Sequence, residues 1–267
     1  MKFSDEAERF MRLGGDRLVA LAGILSSSGL RYSIVKIGEA RHIILRLGEG
    51  KPRLALVAHY DRVPGSAGAL DNSCACLQLA AFAARLKGAS PSPPPLLFAF
   101  TDAEEAPGSG EAARQGSFAL ARNFKAAGEG MAALVFDVTG RGGRLLMSTA
   151  PTGLLARHGL SGSPAAEGCR SLVSLTERVA ARAGLAAPFE AALPWSDDLG
   201  LTLGGLPALA ISLLPEAEVP ALAEGKKPPT WELLHTAADS PDRAEGIAFA
   251  IMAKFLDVLA IELVKGE

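Results

Sequence analysis

Residues 57–73 read VAHYDRVPGSAGALDNS. An apolar run, Leu54 to Ala58, leads into this stretch and stops at His59 and Asp61, after which a loop of small residues delivers Asp71. A run that is apolar on both faces is what a central strand covered by helices on both sides requires. An imidazole and a carboxylate at its end put polar chemistry where loops leave a sheet.

Working outward, the same pattern recurs. Short β-rich runs occupy Tyr32 to Ile37, His42 to Leu47, Leu96 to Phe100, Ala133 to Phe136, Leu145 to Met147 and Ala208 to Leu213. Helical spacing fits 72–86, 114–126, 170–184 and 241–264, and residues 4–28 read as a helix broken at Gly14-Gly15. In the last helix, Ser240-Pro241-Asp242 offers a cap, a favoured first position and an early acid before Ile247, Ile251, Phe255 and Leu259. The Pro-rich run at 89–95 is a loop. The class is α/β, a three-layer αβα sandwich around a mixed, mostly parallel sheet, with residues 1–267 as a single domain.

Composition narrows the partners. The chain has 267 residues, 49% of them hydrophobic, enough to bury a large core. A net charge of −2 and no basic cluster give no attraction to nucleic acid. Apolar runs fall well short of the ~20 residues of a membrane span, which gives no expectation of a membrane partner. The first thirty residues carry Asp5, Glu6, Glu8, Arg9, Arg12, Asp16 and Arg17, which is the wrong chemistry for a signal peptide and leads to the expectation of a cytoplasmic protein. Cys74, Cys76 and Cys169 have no paired spacing, so they read as buried, reduced thiols.

Three of the strand-like runs end in acids or imidazole. His59 and Asp61 follow the first, Asp102, Glu104 and Glu105 follow Leu96 to Phe100, and Asp137 follows Ala133 to Phe136. Asp71 stands at the start of a helix, and His235 lies in LLHTAADSPD before the last one. Taken singly, each has an ordinary explanation: a core histidine, an N-cap, a solvated pair, a loop acid. Together, imidazoles and carboxylates without a thiolate suit a divalent ion such as zinc, and five ligands are too many for one open catalytic zinc. Two ions about 3.5 to 4 Å apart, with a bridging hydroxide, would fit. Of the adjacent Glu104 and Glu105, one would serve a metal and the other would act as base.

In this order, His59-x-Asp61, Asp71-Asn72, Glu104-Glu105, Asp137 and His235-Thr236-x-x-Asp239-Ser240-Pro241 resemble the co-catalytic zinc aminopeptidases and carboxypeptidases of metallopeptidase family twenty-eight. The resemblance covers about residues 54 to 245 and implies a zinc-exopeptidase-like fold. It also implies a role for each residue. His59 and Asp137 would hold one zinc, Glu105 and His235 the other, with Asp71 bridging. Glu104 would be the general base and Asp61 the acid that orients the His59 region. Cobalt or manganese would also suit the ligands. The resemblance further implies a strained or cis Asp71-Asn72 peptide.

Two departures stand out. Ser196-Asp197-Asp198 resembles the family's Ser-Asp-His segment with Asp198 in place of the histidine. The tyrosine that helps hold an oxyanion in some members has no counterpart in Tyr32 or Tyr60, which would leave the metal or His158 to serve, although His158 reads as a surface residue and His42 as a strand residue without a role. The expected activity is hydrolysis of N-terminal peptide bonds in a peptide or aminoacyl substrate by a di-zinc aminopeptidase. Two alternatives stand beside it: a related single-zinc glutaminyl-peptide cyclotransferase, which the segment DAEEAPGSGEAARQGSFALA and Trp231 faintly resemble, and a non-catalytic binding protein on the same fold.

Overall fold

The computed structural model describes residues 2–89, 92–105, 111–193 and 196–265. Of the expected loop at 89–95, residues 90 and 91 lie outside that part, as do residues 106–110 of the segment after Glu105. The strands are β1 (Tyr32–Ile37), β2 (Ala40–Leu47), β3 (Leu54–His59), β4 (Leu96–Thr101), β5 (Ala132–Phe136), β6 (Arg144–Ser148), β7 (Phe189–Ala191) and β8 (Ala208–Leu214). They form one sheet in the order β1-β2-β4-β3-β5-β8-β6-β7. The central pairs β4/β3, β3/β5 and β5/β8 are parallel, as is β6/β7, while β1/β2, β2/β4 and β6/β8 are antiparallel. Every residue of β3, β4 and β8 is buried, as two-sided coverage demands.

The period-two alternation of a strand sorts these side chains into two cores. Leu54, Leu56 and Ala58 face helices α2 (Arg17–Ser27), α3 (Cys74–Ala89), α6 (Pro164–Arg182) and α10 (Gly246–Lys265). Ala55 and Val57 face the other way, toward α4 (Gly116–Ala126), α7 (Asp197–Leu203) and α9 (Pro229–Leu233). Helices α1 (Asp5–Met11), α5 (Ala150–Arg157) and α8 (Val219–Ala223) complete the set. The three-layer αβα arrangement expected from the sequence is present.

Boundaries differ from the sequence expectation where tertiary contacts or caps intervene. Helix α10 begins at Gly246 rather than at 241: Pro241–Arg243 is a separate 3₁₀ turn, and Ser240 makes no side-chain cap. Glu245 explains the break, because its N–H donates to the Gly140 carbonyl and its carboxylate accepts from Gly142 N–H and Arg141, which holds the backbone out of the helix. Helix α6 starts earlier than 170 because Ser163 caps it and Pro164 takes the first position. Helix α3 starts at Cys74 rather than 72 because Asp71 and Asn72 have non-helical dihedrals. The N-terminal break at Gly14-Gly15 separates α1 from α2 as expected, with Ser4 and Asp16 as caps.

Arg17, at the first position of α2, is buried with no carboxylate ion pair among the described residues, and burial lowers its pKa to about 10. Its guanidinium donates to the carbonyls of Tyr60, Phe10 and Ala67 and to Ser73 Oγ, and stacks 4.2 Å over the Phe10 ring. One side chain therefore ties the N-terminal helices to both ends of the 60–73 loop. Replacing it (Arg17→Met) strands several buried acceptors, each worth about 1–3 kcal/mol. The expected outcome is a stability loss of about 3 kcal/mol in urea unfolding, and an unchanged midpoint would show that the clamp does not hold the loop.

Candidate metal centre

His59 closes β3, Thr101 closes β4 and Asp137 follows β5 directly, and all three continue the rows of alternate residues that face α7. The parallel register of the central strands brings these ends to one edge of the sheet. Loops deliver the rest: Asp71 from the turn before α3, Glu104 and Glu105 from the segment after β4, and His235 just beyond α9. The five residues expected around a metal pair converge there.

Asp71 is the shared member. Its Oδ1 lies 3.0 Å from His59 Nε2, and its Oδ2 lies 3.1 Å from His235 Nε2. His59 Nε2 is also 3.6 Å from Asp137 Oδ1, and His235 Nε2 is 3.1 Å from Glu105 Oε1. Two donor groups result, His59/Asp71/Asp137 and Asp71/Glu105/His235, each with its donor atoms within 4.8 Å of one another. A third group of the same tightness, His59/Glu104/Glu105, places Glu104 against both. Asp61 stands behind them: its Oδ1 is 3.4 Å from His59 Nδ1, and its Oδ2 accepts from Glu105 N–H at 2.9 Å.

The donor set fits divalent cations. His59 Nε2 and Asp137 Oδ1 are buried and have no hydrogen-bond partner among the described residues, although they approach Asp71 and each other. Atoms that converge without hydrogen-bond direction are arranged as ligands of a common ion would be. The titration of the protein alone agrees. Burial pulls the His59 pKa down, but Asp137, Asp61 and Asp71 outweigh it and hold it well above the imidazole range. Asp71 and Glu105 raise His235 to about 10. Burial raises Asp71, but His235 and His59 overcome it and hold its carboxyl below the usual range. The cluster calls for positive charge, which bound dications would supply.

Glu104 and Glu105 differ in setting. Glu104 is buried; burial raises its pKa well above the usual value against the pull of His59, with Asp197, Asp137 and Glu105 adding to the rise. Its Oε1 accepts from Gln115 Nε2 at 3.3 Å. Glu105 is raised by burial too, opposed by its contact with His235.

The backbone here is unusual. The Asp71-Asn72 peptide is cis, and the non-glycine residues with left-handed φ among the described residues are Ala103 (62°), Val138 (51°) and His235 (61°). Each is a site residue or stands next to one. For a β-branched valine this region is strongly disfavoured, and such residues cost about 1–3 kcal/mol and collect where surrounding structure over-determines them. Asn72 and Asp239 supply that surrounding structure. Asn72 donates to Phe136 O at 2.8 Å and accepts from Val138 N–H at 3.3 Å, while Asp239 accepts from the N–H groups of Leu70 and Asp71 at 2.7 and 3.2 Å.

Other sequence expectations resolve plainly. His158 is exposed at the end of α5 and lies outside the cavity lining. His42 is buried, its Nδ1 accepting from Asp102 N–H, and burial lowers its pKa to about 4. Tyr60 OH donates to Arg41 O. Cys76 Sγ donates to His59 O and Cys74 is buried, so both pack rather than join the donor groups. Asp198 is turned away from the cavity: it accepts from Ala210 N–H, and burial raises it to about 7. Asp197, not singled out for the site, is fully buried against Thr101 and, with burial dominating, is raised to about 6. Neither acid lines the cavity, and the turn of α7 decides that Asp197 meets Thr101 while Asp198 meets Ala210.

Beyond the acids opens a cavity of about 820 Å³. Its walls include Phe189, Leu193, Leu222, Trp231 and Leu234, with Ser196 and Ser212 as polar points. Lys226 and Lys227 border it from an exposed segment. No helix among the described residues is long and apolar enough to cross a membrane.

Residues 42–258 match the family model described as peptidase family M28. Among solved structures, a glutaminyl cyclase from Bacteroides thetaiotaomicron bound to N-acetylhistamine superimposes with a TM-score of 0.71 and 21% identity, over 96% of this chain and 94% of that one. The LapA aminopeptidase of Legionella pneumophila follows at 0.66 and 18%, over 92% of this chain and 63% of that one. BSAP, a zinc aminopeptidase from Bacillus subtilis, gives 0.60 and 19%, over 83% and 50%. These likenesses show a shared fold. No curated protein matches the sequence.

Separate donor groups make a metal-content prediction. His59→Ala is expected to remove one bound zinc equivalent and His235→Ala the other, whereas Asp71→Ala removes both. Elemental analysis after dialysis against buffered zinc reads the outcome, and loss of all bound zinc in either histidine variant would merge the groups into one site.

Proposed function

The chain belongs to peptidase family M28, and from that premise we propose that it is a two-metal exopeptidase, an aminopeptidase that hydrolyses N-terminal peptide bonds. The observation that carries this reading is Asp71, whose two oxygens each face a different imidazole, so that one carboxylate serves two donor groups. His59 and Asp137 complete the first and Glu105 and His235 the second. When bound, two divalent ions, zinc by this donor chemistry, would polarise the scissile carbonyl and acidify a water.

The remaining roles fall to the chain's own groups. Asp61 accepts from the Glu105 backbone through one oxygen and brings the other to 3.4 Å from His59 Nδ1, which sets it behind one member of each group. Glu104, which approaches His59 and Glu105 but stands outside the two groups that share Asp71, takes the proton of the attacking water and returns it to the leaving amine. Burial has already pushed its pKa upward, the direction a base working near neutral pH needs. The apolar wall of Phe189, Leu193 and Trp231 receives the side chain of the N-terminal residue and keeps water from it. A carboxypeptidase would need a fixed cation inside the cavity for the terminal carboxylate. The lysines that border it stand on an exposed segment instead, and Lys226 is paired with Glu224. The three free cysteines are all buried, which suits the reducing cytoplasm we infer as its location.

A second reading is favoured by the superposition. The cyclase from Bacteroides thetaiotaomicron gives a TM-score of 0.71, against 0.66 and 0.60 for the two aminopeptidases. In that reading Asp71, Glu105 and His235 hold one zinc, and the substrate's own α-amine replaces water as nucleophile, attacking the side-chain amide of an N-terminal glutamine with release of ammonia. Leucyl p-nitroanilide and a glutaminyl peptide separate the two. Anilide release with activity saturating at two zinc equivalents is expected; ammonia release with a pyroglutamyl product at one equivalent would replace it. Turnover of neither would leave a binding protein.

The base assignment predicts a contrast between neighbours. Glu104→Gln should keep both metals and lower kcat by about 10² to 10⁴ with KM little changed. Glu105→Gln should lose metal as well as activity. Near wild-type turnover by Glu104→Gln, or metal loss equal to that of Glu105→Gln, would reverse the division of labour.

A further inference from the structure

Gln115 occupies the N-cap of α4, but its side chain caps nothing on that helix. It is buried and spans two other elements instead. Its Oε1 accepts from the backbone N–H of Gly200 in α7 at 3.0 Å, and its Nε2 donates to Glu104 Oε1 at 3.3 Å. The first bond decides the second: a backbone N–H can only donate, so it selects the carbonyl end of the amide and leaves the NH₂ end facing Glu104. Gly200 is built for this approach. A Cβ there would stand 2.7 Å from Gln115 Oε1 and 2.4 Å from Ser117 Oγ.

We propose that Gln115 is the positioning residue of the general base, with α7 as its anchor: Gly200 pins the amide, and the amide occupies Glu104 Oε1, so that Oε2 is the oxygen turned to the proton. This rests on Glu104 being the base in the reading above. A glutamate has three rotatable bonds, and a buried one without a donor on one oxygen can present either. A donor on Oε1 removes that choice at the cost of one neutral hydrogen bond, and it adds no charge to a place already crowded with carboxylates. Gln115 stays outside both donor groups and outside the cavity lining, so it acts through Glu104 rather than on substrate.

The test is a double-mutant cycle on the zinc-loaded enzyme with whichever substrate of the preceding section it turns over. Gln115→Met keeps the length of the side chain and removes both polar ends. It should lower kcat about 10- to 100-fold, the range of a hydrogen bond to a charged group, with KM within about twofold and zinc equivalents unchanged. In a Glu104→Gln background the same substitution should cost nothing further, because the residue it positions is gone. Gln115→Ala is the second variant, used if the methionine variant does not fold: it removes the donor without adding a charge beside Glu104, and the same kcat loss is expected. Unchanged kcat, a loss that falls on KM or on zinc content, or an equal loss in the Glu104→Gln background would overturn the proposal. Near wild-type turnover by Glu104→Gln alone would instead remove the base, and the role of Gln115 with it, which is a distinguishable failure.

Discussion

Asp71 shares its carboxylate between two imidazoles, and much of the surrounding architecture serves that contact. To present Oδ1 to His59 and Oδ2 to His235, the carboxylate must be held in both translation and rotation. Its own side chain has too much freedom for that, so the loop is fixed from three sides. Asp239 takes the N–H groups of Leu70 and Asp71 from the α10 side, Asn72 stitches the loop to the end of β5, and Arg17 secures its flanks from the N-terminal helices. A polar group buried without such partners would cost about 1–3 kcal/mol.

The same demand explains where the backbone departs from comfort. Ala103, Val138 and His235 adopt left-handed φ beside Glu104, Asp137 and at His235 itself. No glycine stands at these positions, so the conformations persist because sheet registry and cross-loop hydrogen bonds leave no alternative. Val138 illustrates it: its N–H reaches Asn72 and its carbonyl accepts from Ser212 Oγ and Leu213 N–H, which locks the turn that aims Asp137.

Electrostatics divide the acids into kinds. Asp71 is held ionised by two imidazoles, whereas Glu104 and Asp197 are pushed toward protonation by burial, against the pull of His59. A site that contains both kinds within a few ångströms can hold positive charge on one side and handle a proton on the other. Glu104 and Glu105 are both raised by burial and are told apart by contact instead, Glu105 meeting His235 and Glu104 meeting Gln115.

Much of this was legible in the chain itself. Apolar runs buried on both faces announce central strands, because only coverage from two sides accommodates them, and polar residues at their ends mark the edge where loops gather. His59, Asp71, Glu104, Glu105, Asp137 and His235 were all readable that way, since their local signals are short-range and their order matches a known family. What the sequence could not carry is anything that depends on the approach of distant segments. The start of α10 was misplaced because Glu245 is drawn to Gly140 and Arg141, a hundred residues away. The family pattern sets Asp198 apart from Asp197, but where each carboxylate goes was not legible, because the first turn of α7 aims one at Thr101 and the other at Ala210. Gln115 carried no signal, since an amide means nothing until a backbone donor fixes which end faces the acid. Local chemistry thus chose the strands and the reactive side chains, while their orientation belongs to the tertiary structure, because a side chain's direction is set by partners that only folding brings within reach.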